Sequence, residues 1–408
     1  MGTKGTWTAF GVILAACVLL STAGCPRRVK STAQAIQALA TSPPLISVER
    51  TIYDIGPTEW GPFYFSAGRF EGRPVAAFRS PGGFSVAVAD TPLPESAGDW
   101  QIILLDSRPR SRMISLAASE AGVFVSYLAG PREDSHLMLA SCAGADPSDP
   151  LAWSLEELPP ELGNVSIRAI AAGGDRLSLA CRDRDTRLPM YIWRELATDD
   201  AGWQIQPAGD DLSGSLQLTL IEIDGAQALG YASADRTSFG LLRDLDKPAP
   251  DGWQATVIDS GTERVILAGH ADFAAHGRAA AAVFHHGEPP QLRFAVSADA
   301  AAASPDWQLS GIVKWEMLGD VDLLFSDDLP VVLYTADMSA LWAFFATTPT
   351  PADNRDWRMC QLSEDLGTHG YNGVEAVILE GHLLALYIKL DAMKNVTLSA
   401  TLIEIPER

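Results

Sequence analysis

The chain has 408 residues, of which 47% are hydrophobic and 20% charged, a composition that excludes a disordered protein. Its 51 acidic and 30 basic residues give a formal charge of −21. No basic stripe is available to neutralise phosphates, so the sequence argues against a nucleic-acid partner, and the acidic surface reads as a solubility device.

The chain opens with Lys4 and an apolar run over residues 9–20. That run is too short to cross a bilayer comfortably but suits the core of a signal peptide. Ser21-Thr22-Ala23-Gly24-Cys25 follows. Small residues directly before a cysteine resemble the lipobox of bacterial lipoproteins. The resemblance implies cleavage before Cys25, a diacylglyceryl group on its thiol and an acyl group on its new amine. Two or more acyl chains anchor stably where one holds marginally. Thr22 departs from the usual aliphatic residue. Pro26 supplies no acidic signal for inner-membrane retention, so the expected location is the cell envelope, at the outer membrane or cell surface. The expected organisation is a signal peptide at 1–24, a lipidated Cys25 and tether at 25–44, and one domain at 45–408.

Residues 45–55 (LISVERTIYDI) are β-branched and aromatic and predict a strand. From about residue 61 a pattern repeats roughly every 50 residues, with Trp100, Trp153, Trp203, Trp253, Trp307 and Trp357 in register. Each repeat has three short strands, a polar loop and a fourth strand opened by the tryptophan, the signature of an antiparallel meander. After Trp357 three more strands follow, at 374–379, 383–389 and 397–403, and no fourth. The unclaimed N-terminal strand can complete the last sheet, which removes the exposed edges. The expected fold is therefore an all-β propeller of seven four-stranded blades closed by the N-terminal strand. Six blades with a capping tail is the alternative. The repeated Trp is read as filler between splayed sheets. Cys142 and Cys181, in neighbouring repeats, leave a disulfide open.

The third strand, Asp-rich loop and Trp, best seen at Ser297-Ala298-Asp299 before Trp307 and at Thr198-Asp199-Asp200-Ala201-Gly202-Trp203, resemble the Asp-box repeats of sialidase-like propellers. In that family the Asp-box is structural and lies opposite the active site, so it carries no catalytic residue across. The family's early Arg-Ile-Pro motif is absent; Arg73-Pro74-Val75 is not it. No Gly-x-Ser-x-Gly, His-Glu-x-x-His, P-loop or Cys-x-x-Cys occurs, and no cofactor is expected. His285 and His286 are adjacent on a strand and point to opposite sides, so no metal is expected there.

In such a meander the turns joining second and third strands share a face with the links between blades. That face gathers Arg79, Arg108, Arg110, Arg112, Arg132, Asp183, Asp185, Asp235, Arg236, His285, His286 and Asp337. Loops on a rigid scaffold concentrate binding residues, and the arginines suit a carboxylate- or sulfate-bearing partner. Two functions follow as expectations: an envelope-anchored module that binds a protein or glycan, or a glycan-active hydrolase of the sialidase-like class with a diverged site.

Overall fold

A computed structural model describes residues 42–408, apart from segments at 60–64, 109–111, 132–134, 160–161, 163–164, 174, 187–188, 197–201, 208–217, 233–237, 246–252, 261–264, 287–290, 314–318, 337–339, 364–372, 391–394 and 407–408. The leader, Cys25 and most of the tether therefore lie outside the described residues. Residues 43–408 form one compact unit.

The unit consists of seven four-stranded antiparallel sheets. β1 (Arg50–Pro57) comes first and is used last. The first blade is β2 (Phe65–Phe70), β3 (Arg73–Ser80), β4 (Gly83–Ala89) and β5 (Trp100–Asp106). The second is β6 (Arg112–Ser119), β7 (Gly122–Ala129), β8 (His136–Ala143) and β9 (Ser154–Glu157). The third is β10 (Val165–Gly173), β11 (Arg176–Asp183), β12 (Pro189–Glu195) and β13 (Gln204–Pro207). The fourth is β14 (Leu218–Ile223), β15 (Ala226–Ala232), β16 (Ser238–Arg243) and β17 (Gln254–Ser260). The fifth is β18 (Val265–His276), β19 (Ala279–His286), β20 (Gln291–Ser297) and β21 (Gln308–Val313). The sixth is β22 (Val321–Ser326), β23 (Leu329–Ala336), β24 (Ala340–Ala346) and β25 (Trp357–Ser363). β26 (Val374–Leu379), β27 (His382–Leu390) and β28 (Val396–Glu404) form the seventh, and β1 completes it beside β28. The fold is thus the seven-bladed propeller with N-terminal closure, and the six-blade alternative falls.

Tight hairpins join first to second strands. Glu71-Gly72, Asp224-Gly225 and Glu380-Gly381 all take positive φ at both positions, from 43° to 81°. This is the turn whose twist matches that of the strands it joins, and it favours glycine at its second position.

The expected strand at 45–55 is corrected in one respect. β1 begins only at Arg50, because the residues before it serve the neighbouring blade. Met359 N donates to Pro44 O at 2.9 Å, Ile46 N donates to Met359 O at 2.8 Å, and Leu45 forms a parallel bridge to Met359. Residues 43–48 thus strap the outer rim of the sixth blade before the chain crosses to the seventh.

Seven apolar clusters hold the ring together, one between each pair of neighbouring blades. Trp100 belongs to the cluster between blades seven and one, and Trp357 to that between five and six. Trp153, Trp203, Trp253 and Trp307 flank the clusters between their own and the preceding blades. The expectation that the repeated Trp fills the wedge between sheets holds, but unevenly: Trp357 is fully buried while those four are half-buried. The seventh blade has no Trp at its outer strand. There the cluster is completed by Ile46 and Val48 from the strap. Cys142, Cys181 and Cys360 are buried and none is in a disulfide, so Cys142 and Cys181 do not pair.

Two of the Trp-preceding loops share one device. Asp99 Oδ2 accepts from the N–H groups of Glu95 and Ser96 and from Ser96 Oγ, and Asp356 Oδ2 accepts from Ala352 N and Asp353 N. Each closes a short 3-10 turn just before Trp100 or Trp357. Aspartate directly before the tryptophan is therefore a structural clamp that delivers the ring into the core.

Candidate functional site

The first strands of neighbouring blades touch one another all the way round the ring, which makes them the wall of the central channel. Their polar residues recur at one position. Ser66 Oγ accepts from Leu116 N at 3.1 Å, and Ser115 Oγ accepts from Ile170 N at 3.2 Å. Asp272 Oδ2 accepts from Leu323 N at 2.9 Å, with Thr219 Oγ1 at 3.5 Å from its other oxygen. Asp322 accepts from the N–H of Ala376, and Glu375 from that of Ala67. Thr219 of blade four thus meets the Asp272 carboxyl group of blade five, and in the other five cases a side chain on one blade takes a backbone N–H of the next, from blade five through seven to blade three.

Three of these residues are carboxylic acids on consecutive blades. Asp272 and Asp322 hydrogen-bond to each other through their carboxyl groups. Two carboxylates have no proton to share, so this bond requires one of the pair to be protonated. Asp322 Oδ2 meets no donor among the described residues. Burial, opposed mainly by the Leu323 N–H, leaves Asp272 at about 6. Burial and then the charge of Asp272 push Glu375 to about 8. Asp322 lies well above the usual carboxylate range, through burial and the charges of Glu375 and Asp272. The three side chains keep a little surface open toward the channel, but their charges are surrounded by protein on the scale that governs desolvation. Asp320, just before β22, is also pushed up, to about 7, by burial.

Asp322 and Glu375 sit second in their strands, at the end where the chain arrives from the preceding blade. The acids therefore lie toward the face with the second-to-third-strand turns, the face singled out in the sequence. Several of its residues are engaged locally. The Arg79 guanidinium pairs with Glu59, while its carbonyl accepts from Thr58 Oγ1 at 2.6 Å. Arg108 folds back on Asp106 with Nε at 2.9 and 3.0 Å from the carboxylate oxygens. Arg112 Nη1 donates to Gly130 O at 2.8 Å. Asp183 caps its own turn, accepting from Thr186 N, Asp185 N and Thr186 Oγ1, and those bonds hold it below the usual range. Asp185 is exposed. His285 is fully buried, its ring 5.6 Å from that of Tyr334, so it does not reach the face. Arg110, Arg132, Asp235, Arg236, Asp337 and the His286 side chain lie outside the described residues.

The channel acids escaped the sequence reading, although a signal was present. Ser66, Ser115, Thr219, Asp272, Asp322 and Glu375 each stand at the same place before the end of a first strand and follow the repeat period, with Ala169 holding that place in blade three. On the opposite face an open cleft of about 310 Å³ lies between the loop before Trp100 and the Glu380 turn, lined by Thr91, Pro92, Leu93, Glu95, Asp99 and Glu380. Among the described residues no group of three His, Cys, Asp or Glu is placed to hold a metal ion, and no helix is long and apolar enough to cross a membrane.

These features define a seven-bladed β-propeller with an acid-lined channel. The WD40 domain of Toxoplasma gondii coronin has a similar fold, at 9% identity and a TM-score of 0.52, over 90% of this chain and 89% of that one. So does the phage phi92 endosialidase, at 11% identity and a TM-score of 0.50, over 88% of this chain and 70% of that one. The NanB sialidase of Streptococcus pneumoniae aligns at 10% identity and a TM-score of 0.43, over 93% and 73%. At such identities the likeness concerns the fold alone. No protein-family model and no curated protein matches the chain.

Proposed function

We propose that the protein is a lipoprotein anchored in the cell envelope through Cys25, whose propeller binds a protein or glycan on the face formed by the second-to-third-strand turns. One observation favours binding over hydrolysis by a carboxylate pair. A glycosidase of that common kind, unlike a sialidase with its tyrosine nucleophile, needs two carboxyl groups about 5–5.5 Å or about 6.5–9.5 Å apart, with the reacting bond between them. In this channel Asp272 and Asp322 bond directly to each other, and all three acids accept backbone N–H groups of adjacent blades. Each of the three thus contributes a hydrogen bond to the seam with the next blade. Fold alone assigns no function, so the anchor is argued from Ala23-Gly24-Cys25 and the binding face from its arginines.

The test uses the full-length protein in mild detergent, on a glycan array and in pull-downs from envelope extracts. Arg110→Glu with Arg132→Glu alters the proposed face, and Arg355→Glu with Glu95→Lys alters the other. The proposal expects a captured partner that the first pair loses and the second retains. Loss with the second pair alone places binding on the wrong face. Release of sugar from an array glycan by the wild type supports the hydrolase instead.

A further inference from the structure

We propose that Asp272, Asp322 and Glu375 form a proton-dependent latch that holds blades five, six, seven and one together around the channel. The latch is closed while the cluster carries its protons and loosened when it loses them.

The geometry supplies the mechanism. The Asp272–Asp322 bond links blades five and six and exists only with a shared proton. Asp322 reaches on to Ala376 of blade seven, and Glu375 of blade seven reaches Ala67 of blade one. Loss of the shared proton leaves adjacent anions with no donor between them, so repulsion acts across the same seams that these side chains stitch. The seam from blade seven to blade one is also where the ring is closed.

Among the described residues no cation acts on the three carboxyl groups to relieve that repulsion. On β14 the facing group is Thr219, and exposed Glu222 lies further along, beside Gly173. On β18 the other titratable groups are His270, whose side chain lies outside the described residues, and His276 at the far end, near Phe325. From β19, buried His285 faces Tyr334. On the β22 side Asp320 adds a further buried acid. On β15 the titratable residue is Tyr231, pushed up by burial. β23 carries no charged residue. Arg69 of β2 donates to Ile378 O at 3.3 Å. On β3, Arg73 pairs with Asp146 at 2.9 Å and Arg79 with Glu59.

The sign follows from proton linkage. An unfolded chain releases these protons near pH 4, whereas the folded chain keeps them to higher pH: to about 6 for Asp272 and about 8 for Glu375. Folding therefore takes up protons between those limits. The stabilisation is fully present below the unfolded value and is lost as pH rises through the folded ones.

The test follows the full-length chain in detergent from about pH 5 to about pH 9. It records the thermal midpoint and the hydrogen exchange of the Leu323, Ala376 and Ala67 amides. The expected result is a midpoint that falls by several degrees across this range, with protection of those three amides declining tenfold or more beyond the intrinsic pH dependence of exchange. Asp322→Asn should flatten both trends. If that variant does not fold, Glu375→Gln provides the same comparison from the next blade. A wild-type midpoint and corrected protection that stay constant across the range would overturn the latch. So would an unchanged slope in a folded variant.

Discussion

Tyr127 donates its phenolic hydroxyl to Asp106 Oδ2 at 2.8 Å, joining the second strand of blade two to the fourth strand of blade one. The same carboxylate receives Arg108, through Nε and through Nη2 at 2.7 Å. Burial works to raise the Asp106 carboxyl. The bonds from Arg108 and Tyr127 outweigh it and leave the group below its usual range. A depressed carboxylate contributes stability that is present above its unfolded value and lost as pH falls through the folded one. Tyr127→Phe removes a donor from a buried acceptor and should cost about 1–3 kcal/mol at neutral pH. Arg108→Ala should shrink the loss of stability on acidification below about pH 4. Urea unfolding at several pH values reads both effects, and a Tyr127→Phe variant as stable as the wild type would contradict the role given to the bond.

The six register tryptophans should not be equivalent. Trp357 is fully buried and packs edge-on against Phe294, with ring centroids 5.1 Å apart. Its replacement by alanine should cost about 3–5 kcal/mol. Trp307 is half-buried beside its cluster, and the same change there should cost clearly less. Equal losses in denaturant unfolding would show that the wedge is not what sets the cost.

The strap can be followed through one thiol. Cys360 lies in the cluster that Ile46 and Val48 complete, and burial pushes it up to about 12. Placing aspartates at positions 46 and 48 should lift the strap and speed modification of Cys360 by a thiol reagent at least tenfold under native conditions. A rate that does not change would mean that the strap does not cover the seam.

Lipid attachment has its own readout. With Cys25→Ala the protein should move from the detergent phase to the aqueous phase, and the acyl groups should vanish from the mass of its N-terminal peptide. A wild type that partitions to the aqueous phase would refute the anchor.

Much of this fold was legible because the propeller writes its period into the chain. Trp100 to Trp357 mark where each sheet ends, and the missing fourth strand after β28 pointed to the segment that became β1. The strap was less visible. Leu45 and Ile46 carry the same β-branched and apolar signature as a strand, and composition does not say which of two neighbouring blades they join. The channel acids were hidden for another reason. Isolated Asp and Glu residues read as solvated turns, and only the blade register puts Asp272, Asp322 and Glu375 on one wall. His285 misled in the opposite sense: it sits near a strand end, and only three-dimensional packing against Tyr334 removes it from the loop face.

Closure by the N-terminal strand underlies the rest of the account, because it sets the blade count, the channel and the path of the strap. Pro57 lies opposite Thr397 in the β1–β28 ladder, and the ladder continues as Thr58 N donates to Val396 O at 3.0 Å. Directly opposed residues of an antiparallel pair have Cα atoms about 4.5–5.5 Å apart, within the reach of a disulfide. The decisive measurement is oxidation of a Pro57→Cys, Thr397→Cys protein, read by non-reducing electrophoresis and by mass spectrometry of the linked peptides. Closure predicts a single intramolecular crosslink between the two ends of the chain and a raised unfolding midpoint that reverts on reduction. Two unlinked thiols, or crosslinks only between molecules, would contradict it.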